Sequence, residues 1–275
     1  MIILGGINPV AVRISNAELP PFWGATLRIA GAAVLFWIMV FAKRLEIPKG
    51  RALTNILIFG VLTIGLSFAF LYWALVFLPA SLTIVIESIG PLLTYFFAWL
   101  HRQETFRWSG FLGSVIAIIG IIIGIETEPG ASIPLLPILA VVVSVATLAE
   151  GTVLYKSYSR IDPLMVNALA LTIGAAILLP ISVVAGEQWI LPTTIPVWIS
   201  YAYLVVGGSV ILFYLYLYVL ERWTASATAY TFLLFPIVTI LVAAWLLDEV
   251  ITIRFLFGSL IVLVGVWMGA IAQPK

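Results

Sequence analysis

The chain has 275 residues, of which 63% are hydrophobic and only 9% charged, against roughly 45–50% and about 25% in soluble domains. A water-soluble fold of this size has nowhere to hide that much apolar surface, so lipid must solvate most of it. A net charge of +1, no cysteine and one histidine point away from nucleic acid, disulfides, thiol chemistry and Cys- or His-based metal sites, and no resident cofactor is expected.

A membrane-crossing helix needs ~20 mostly apolar residues. Ten segments approach or meet that length: 2–14, 20–42, 53–77, 80–100, 108–125, 133–155, 163–184, 197–220, 224–246 and 253–272. All are read as helices, because open strands would leave backbone groups unpaired in lipid. The expected fold is therefore an all-α integral membrane domain.

The first segment has no basic residue ahead of its apolar stretch, and Arg13 follows it. It reads as a short span rather than a cleaved signal peptide, with a natural start expected upstream of Met1. Asn8-Pro9 interrupts its backbone ladder. The second segment carries Arg28, and the third carries Tyr72. In the fourth, Glu87 sits about seven residues in, ~10 Å from one surface at 1.5 Å per residue. Ile84, Glu87, Ser88, Pro91 and Tyr95 follow helical spacing and are expected on one face. Gly120 and Gly124 form a small-residue packing motif in the fifth segment, repeated as Gly265 and Gly269 in the tenth. Glu150 lies in the sixth, Tyr214 and Tyr218 share a face of the eighth, and the ninth contributes Tyr230 and Pro236.

Charge sets the orientation. Numbering the loops alternately puts Lys43, Arg44, Lys49, Arg51, Arg102, Arg107, Lys156, Arg160, Arg222 and Lys275 on one side, and Arg13 and Arg254 on the other. Basic loops stay in the cytoplasm, so both termini are expected there, in a bacterial-type inner (plasma) membrane.

An internal repeat organises the chain. Shifted by 145 positions, residues 80–124 fall on 225–269 with twelve identities among 45 pairs, including Pro91/Pro236, Glu104/Glu249, Gly113/Gly258, Gly120/Gly265 and Gly124/Gly269. The repeat unit holds five helices, an odd number, so the copies 1–125 and 132–275 should have opposite orientation. Inverted repeats are a signature of secondary transporters that rock about a midplane site.

The segments "PLLTYFFAWLHRQETFRWSGFLGSVIAIIGIIIG" and "PIVTILVAAWLLDEVITIRFLFGSLIVLVGVWMG" resemble the ten-helix EamA-like proteins of the drug/metabolite transporter superfamily. The likeness lies in a proline in helix 4 or 9, a Glu in the following turn and a glycine-spaced helix 5 or 10. It implies a cavity lined by helices 1, 3, 4, 6, 8 and 9, with helices 5 and 10 as scaffold. It also implies a metabolite substrate, an amino acid or an amphiphilic compound, most often exported. The chain departs from the family at Leu4-Gly5-Gly6, where a Trp-Gly pair is common.

Ionisable groups within spans cost ~2.5–3.5 kcal/mol on insertion scales and are functional candidates. Glu87 reads as a proton-coupling or substrate-orienting carboxylate, or as a structural partner of Arg28; protons are the candidate coupling ion. Glu150 reads as a binding group, or as a residue pairing with Lys156 or reaching the interface. Tyr72, Tyr214, Tyr218 and Tyr230 suit an amphiphilic ligand, or pack as ordinary aromatics. Pro9, Pro91 and Pro236 mark gates or tolerated kinks. Glu104 and Glu249 are expected to cap helix 5 or 10, or to form loop ion pairs. No nucleotide loop or catalytic triad is present. A second functional class, a membrane-embedded enzyme acting on lipid or isoprenoid, rests only on the proximity of His101, Glu104 and Arg107.

Overall fold

The computed structural model describes all residues except 106–107, 125–134, 157–160 and 272–275, together with the side chains of Ser114, Ser226, Ala227, Tyr230, Leu233 and residues 269–271. Among the described residues every regular element is a helix. In chain order they are α1 (Ile2–Ser15), α2 (Pro21–Ala42), α3 (Arg51–Phe77), α4 (Ala80–Leu100), α5 (Trp108–Gly124), α6 (Leu135–Lys156), α7 (Pro163–Val184) and α8 (Ile195–Leu220). A short turn (Ala225–Ala229) and a 3-10 stretch (Tyr230–Leu234) then lead into α9 (Phe235–Leu246), followed by α10 (Ile253–Ile271).

Six of these helices, α2, α3, α4, α6, α7 and α8, are long and apolar enough to cross a membrane, and the other four are shorter apolar helices. Of the segments read from the sequence, the ninth, 224–246, falls short because nearly its first half is not continuous with α9. Proline sets several helix starts: Pro21, Pro163 and Pro196 occupy first-turn positions, where a missing N–H costs nothing.

Three interruptions shape the interior. α3 contains a π-helical turn over Gly60–Leu66, and α8 contains another over Val206–Ile211. Subtracting 145 places 206–211 on 61–66, inside the first turn. α4 breaks at Ser88–Ile89 and resumes from Gly90 with Pro91 in its first turn. The Ser88 hydroxyl donates to the Ile84 carbonyl at 2.9 Å, a back-bond that bends helices. Pro236 occupies the matching first-turn position of α9.

Glycine brings helices into backbone contact. A Cβ on Gly120 would meet Val262 N at 2.6 Å and Gly258 O at 2.7 Å. A Cβ on Gly265 would meet Ala117 N at 2.6 Å and Gly113 O at 2.7 Å, and one on Gly258 would strike the Gly124 backbone. The expected packing of α5 on α10 through Gly120, Gly124 and Gly265 is thus present, with Gly258 at its centre; the surroundings of Gly269 lie outside the described residues. Gly60 makes the same close approach to α7, where a Cβ would sit 2.8 Å from Ala170 O. Outward faces carry the apolar surface, such as Phe111, Ile118 and Ile122 on α5 and Phe257, Leu260 and Trp267 on α10.

Candidate functional site

A cavity of about 140 Å³ lies inside the bundle. That is below the ~300–1,000 Å³ of drug-sized ligand pockets, so in this state it takes only a small solute. Its wall is mainly apolar and aromatic: Phe59 and Phe68 from α3, Phe213 and Tyr216 from α8, and Phe232 and Phe235 at the entry to α9. Asn8 and Pro9 come from α1, Ile84, Glu87 and Gly90 from α4, and Ser144 and Leu148 from α6. The helices implied by the family resemblance all contribute. Arg28 of α2 and Asn167 of α7 join them.

Glu87 ends the first part of α4 and faces this cavity. Its carboxylate has no hydrogen bond or ion pair with any described residue. The expected pairing with Arg28 is therefore corrected. Arg28, 2% exposed, instead spends its donors on the π-turn of α8. Its Nε donates to Ser209 Oγ at 2.9 Å and its Nη2 to Gly208 O at 2.8 Å. Its Nη1 reaches the Tyr72 hydroxyl at 3.3 Å. The guanidinium also lies 5.1 Å from the Phe68 ring centroid. The physical reason is local. The π-turn presents a carbonyl and a hydroxyl to α2, and a guanidinium fork satisfies both. Three of five N–H donors are used, which leaves two without a protein acceptor among the described residues. Asn8 joins the same node: its Nδ2 donates to Gly208 O at 3.3 Å, while its Oδ1 is buried with no partner among the described residues.

Other expectations are redistributed. Ser88 and Pro91 are buried but do not line the cavity, because the break at Ser88–Ile89 ends the single face expected along α4. Tyr95 turns toward α5, donating to Thr105 O at 2.9 Å and packing over Gly110. Tyr72 stands behind Arg28, fully buried, rather than on the wall. Tyr214 and Tyr218 stack on each other at 6.4 Å, and Tyr218 lies under Arg222 at the surface. Phe213, Tyr216 and Leu217 form the cavity face instead. The Tyr216 hydroxyl is 2.8 Å from that of Thr152. The side chain of Tyr230 lies outside the described residues. Pro9 lines the cavity, whereas Pro236 is buried off it.

Glu150 does not pair with Lys156, the partner expected for it. His101 Nε2 contacts its Oε1 at 2.7 Å, its Oε2 is buried without a donor among the described residues, and Lys156 bonds the Leu220 carbonyl at 2.5 Å. His101 is thereby committed to α6, and Arg107 lies outside the described residues. Two polar features were missed by sequence reasoning. One is the Ser67–Ser144 hydroxyl pair at 3.0 Å. The other is the target of Glu249, which caps α4 rather than α10: it accepts from Ala80 N at 2.8 Å and from Ser81 N at 3.1 Å.

At the same end of the bundle, two loops tie α2 to α8. Glu18 accepts from the backbone and hydroxyls of Thr193 and Thr194 at the start of α8. The Thr193 backbone and the Thr194 side chain hold its carboxyl below the usual range. Reciprocally, Glu187 accepts from Phe22 N at 3.1 Å and Trp23 N at 2.7 Å at the start of α2. Trp23 stacks on Trp189 at 5.3 Å. Deeper along the seam, the Tyr201 hydroxyl donates to Leu27 O at 3.1 Å, one residue from Arg28.

The comparisons with known proteins agree with this architecture. A Bacillus subtilis (strain 168) protein named as the uncharacterized transporter YvbV is 27% identical over 281 residues, covering 97% of this chain and 88% of the relative. An Escherichia coli (strain K12) protein named as the uncharacterized inner membrane transporter YedA is 24% identical, covering 91% and 81%. A crystal structure matches with a TM-score of 0.75 at 16% identity over 98% of this chain and 93% of that one, which shows a shared fold. The sequence matches the EamA-like transporter family over residues 1–125 and 135–270, and with an all-helical, lipid-suited bundle around an internal cavity, this multi-pass membrane protein belongs to the EamA-like transporter family.

Proposed function

We propose that the chain is a secondary transporter that exports a small metabolite, an amino acid or an amphiphilic compound, across the inner membrane by alternating access. In this reading ten crossings are divided between halves 1–125 and 132–275 in opposite orientation, with both termini cytoplasmic. The observation that carries the proposal is Glu87: a carboxylate facing an aromatic cavity with no protein partner among the described residues. An intramembrane carboxylate is costly, and one left unpaired in a cavity is available to a proton or a cationic group of the solute. Two further observations support the two-half reading. The π-turns of α3 and α8 stand at equivalent positions of the 145-residue repeat, as do the first-turn prolines of α4 and α9.

The test is flux in proteoliposomes, with labelled amino acids and small metabolites, with and without an imposed pH gradient. Saturable, gradient-driven flux that loses its gradient dependence in Glu87→Gln supports proton coupling at Glu87. Flux that keeps its full gradient dependence in that variant removes Glu87 from the coupling step.

A further inference from the structure

The cavity ends beneath a small charged assembly joining α1, α3, α4 and the α9–α10 turn. Arg13, near the end of α1, donates Nη1 to Leu75 O at 3.2 Å and to Leu78 O at 2.5 Å, closing the last carbonyls of α3. Glu249 accepts from Ala80 N, Ser81 N and, at 2.5 Å, the Ser81 hydroxyl, closing the first N–H groups of α4. The two side chains meet at 3.8 Å between Arg13 Nε and Glu249 Oε1. A cation thus sits on a helix C-terminus and an anion on the next helix N-terminus, each on the favoured end of its dipole. Asp248 takes φ 52°, a left-handed conformation that Asp tolerates better than most residues, immediately before Glu249.

Leu75 lines both the internal cavity and a depression on the outer side of this assembly, whose wall includes Arg13, Asn16, Glu18, Val197 and Leu247. Leu75 is thus common to the walls of both spaces. Glu249 comes from the second half of the chain and its target, the start of α4, from the first, so the bonds cross between halves. The other inter-half ties at this end behave differently in geometry. Glu18 and Glu187 join α2 and α8, which stay bonded through Tyr201 and Arg28 well into the bundle. Deeper in the assembly α9 is held to α1, where Thr239 Oγ1 donates to Gly6 O at 2.5 Å. Among the described residues, however, no side-chain hydrogen bond to the second half follows the Glu249 contact along the first part of α4: the next residue there that faces the cavity is Ile84, then the unpartnered Glu87.

We propose that Glu249, with Arg13, is the latch of a gate at this end of the bundle. Releasing its carboxylate from the α4 N-terminus frees the first part of α4, up to the break at Ser88–Ile89, to swing away from Leu75 and open the cavity to the depression. The α2–α8 seam is the fixed post against which this motion occurs. The proposal rests on the alternating-access reading, but its test uses no substrate, so a failed flux assay leaves it standing.

The chain contains no cysteine, so a single introduced thiol reports accessibility without background. Leu71→Cys places one on the cavity wall, and Val250→Cys, at an 85% exposed residue beside Glu249, identifies which vesicle orientation presents this end. A membrane-impermeant thiol reagent is applied from that side. We expect Leu71→Cys to react about tenfold faster or more when combined with Glu249→Gln, because charge-assisted bonds are lost. Glu249→Asp should restore part of the protection. Ser81→Ala, which removes one donor, should shift the rate the same way by less, and serves if Glu249→Gln does not fold. Glu18→Gln should leave the rate unchanged. An unchanged rate in both Glu249→Gln and Ser81→Ala overturns the latch. An equal acceleration by Glu18→Gln overturns the assignment of α2–α8 as the fixed post and of Glu249 as the specific release point.

Discussion

Replacing Arg28 with glutamine separates a structural guanidinium from a solute-binding one. Two of its hydrogen bonds, at 2.9 Å to Ser209 Oγ and 2.8 Å to Gly208 O, are short and charge-assisted, worth ~1.5–3 kcal/mol each. The 3.3 Å contact with Tyr72 adds little. Glutamine retains at most one of the good bonds, and removing a desolvated charge offsets part of the loss. A net destabilisation of about 2–4 kcal/mol follows, or roughly 4–16 °C in Tm at ~2–4 °C per kcal/mol for a large domain. Thermal unfolding in detergent, followed by circular dichroism, reads this directly. Arg28→Lys should lose less, since it keeps the charge but not the fork. An unchanged melting temperature with flux abolished would refute the reasoning and give the guanidinium to the solute.

Gly258→Leu should destabilise the protein by at least about 1–3 kcal/mol by overpacking α5 against α10, seen as a lowered Tm, because its Cβ meets the backbone at Gly124 and Gly120 O at 2.7 Å. Tyr216→Phe should alter flux, whereas Tyr214→Phe should not, because only Tyr216 lines the cavity; initial rates in proteoliposomes decide. For Glu18 the folded pKa is depressed, so its contribution is present above the ordinary value of about 4.5 and is lost as pH falls through the lowered one. The Tm difference between the parent and Glu18→Gln should therefore hold constant from about pH 8 to 5 and shrink only in stronger acid.

Much of this architecture could be read from periodicity and composition because those signals are local. Apolar runs and proline-marked joints located α2, α4, α6 and α7 to within about two residues, and the recurring glycines announced the α5–α10 contact. The family followed from the two proline–glutamate–glycine segments. What was not legible depends on backbone irregularity or on partners far along the chain. A π-turn holds an extra residue per turn and leaves no mark in an apolar sequence, so the cavity face of α8 fell on Phe213 and Leu217, one position before Tyr214 and Tyr218. The break after Glu87 has the same effect on Ser88 and Tyr95. Glu249 was read as a cap of α10 or a loop ion-pair partner; it does pair with Arg13 at 3.8 Å, but the backbone donors it caps lie 168 and 169 positions away. Arg28 was matched to the one carboxylate at similar depth, when a carbonyl exposed by the π-turn of α8 offered a better acceptor.

The Arg28 node also sets a clock on biosynthesis. Its partner Ser209 is separated from it by 181 residues, which at ~5–20 residues per second of translation is a delay of roughly 10–40 s. During that interval α2 is already made, and its guanidinium has neither Gly208 nor Ser209 to bond. It must reach the headgroups by extending along its own stem, or stay sheltered by the insertion machinery. Only α8 supplies the Gly208 carbonyl and the Ser209 hydroxyl, so the Arg28 node of the first half forms only after most of the second has been synthesised.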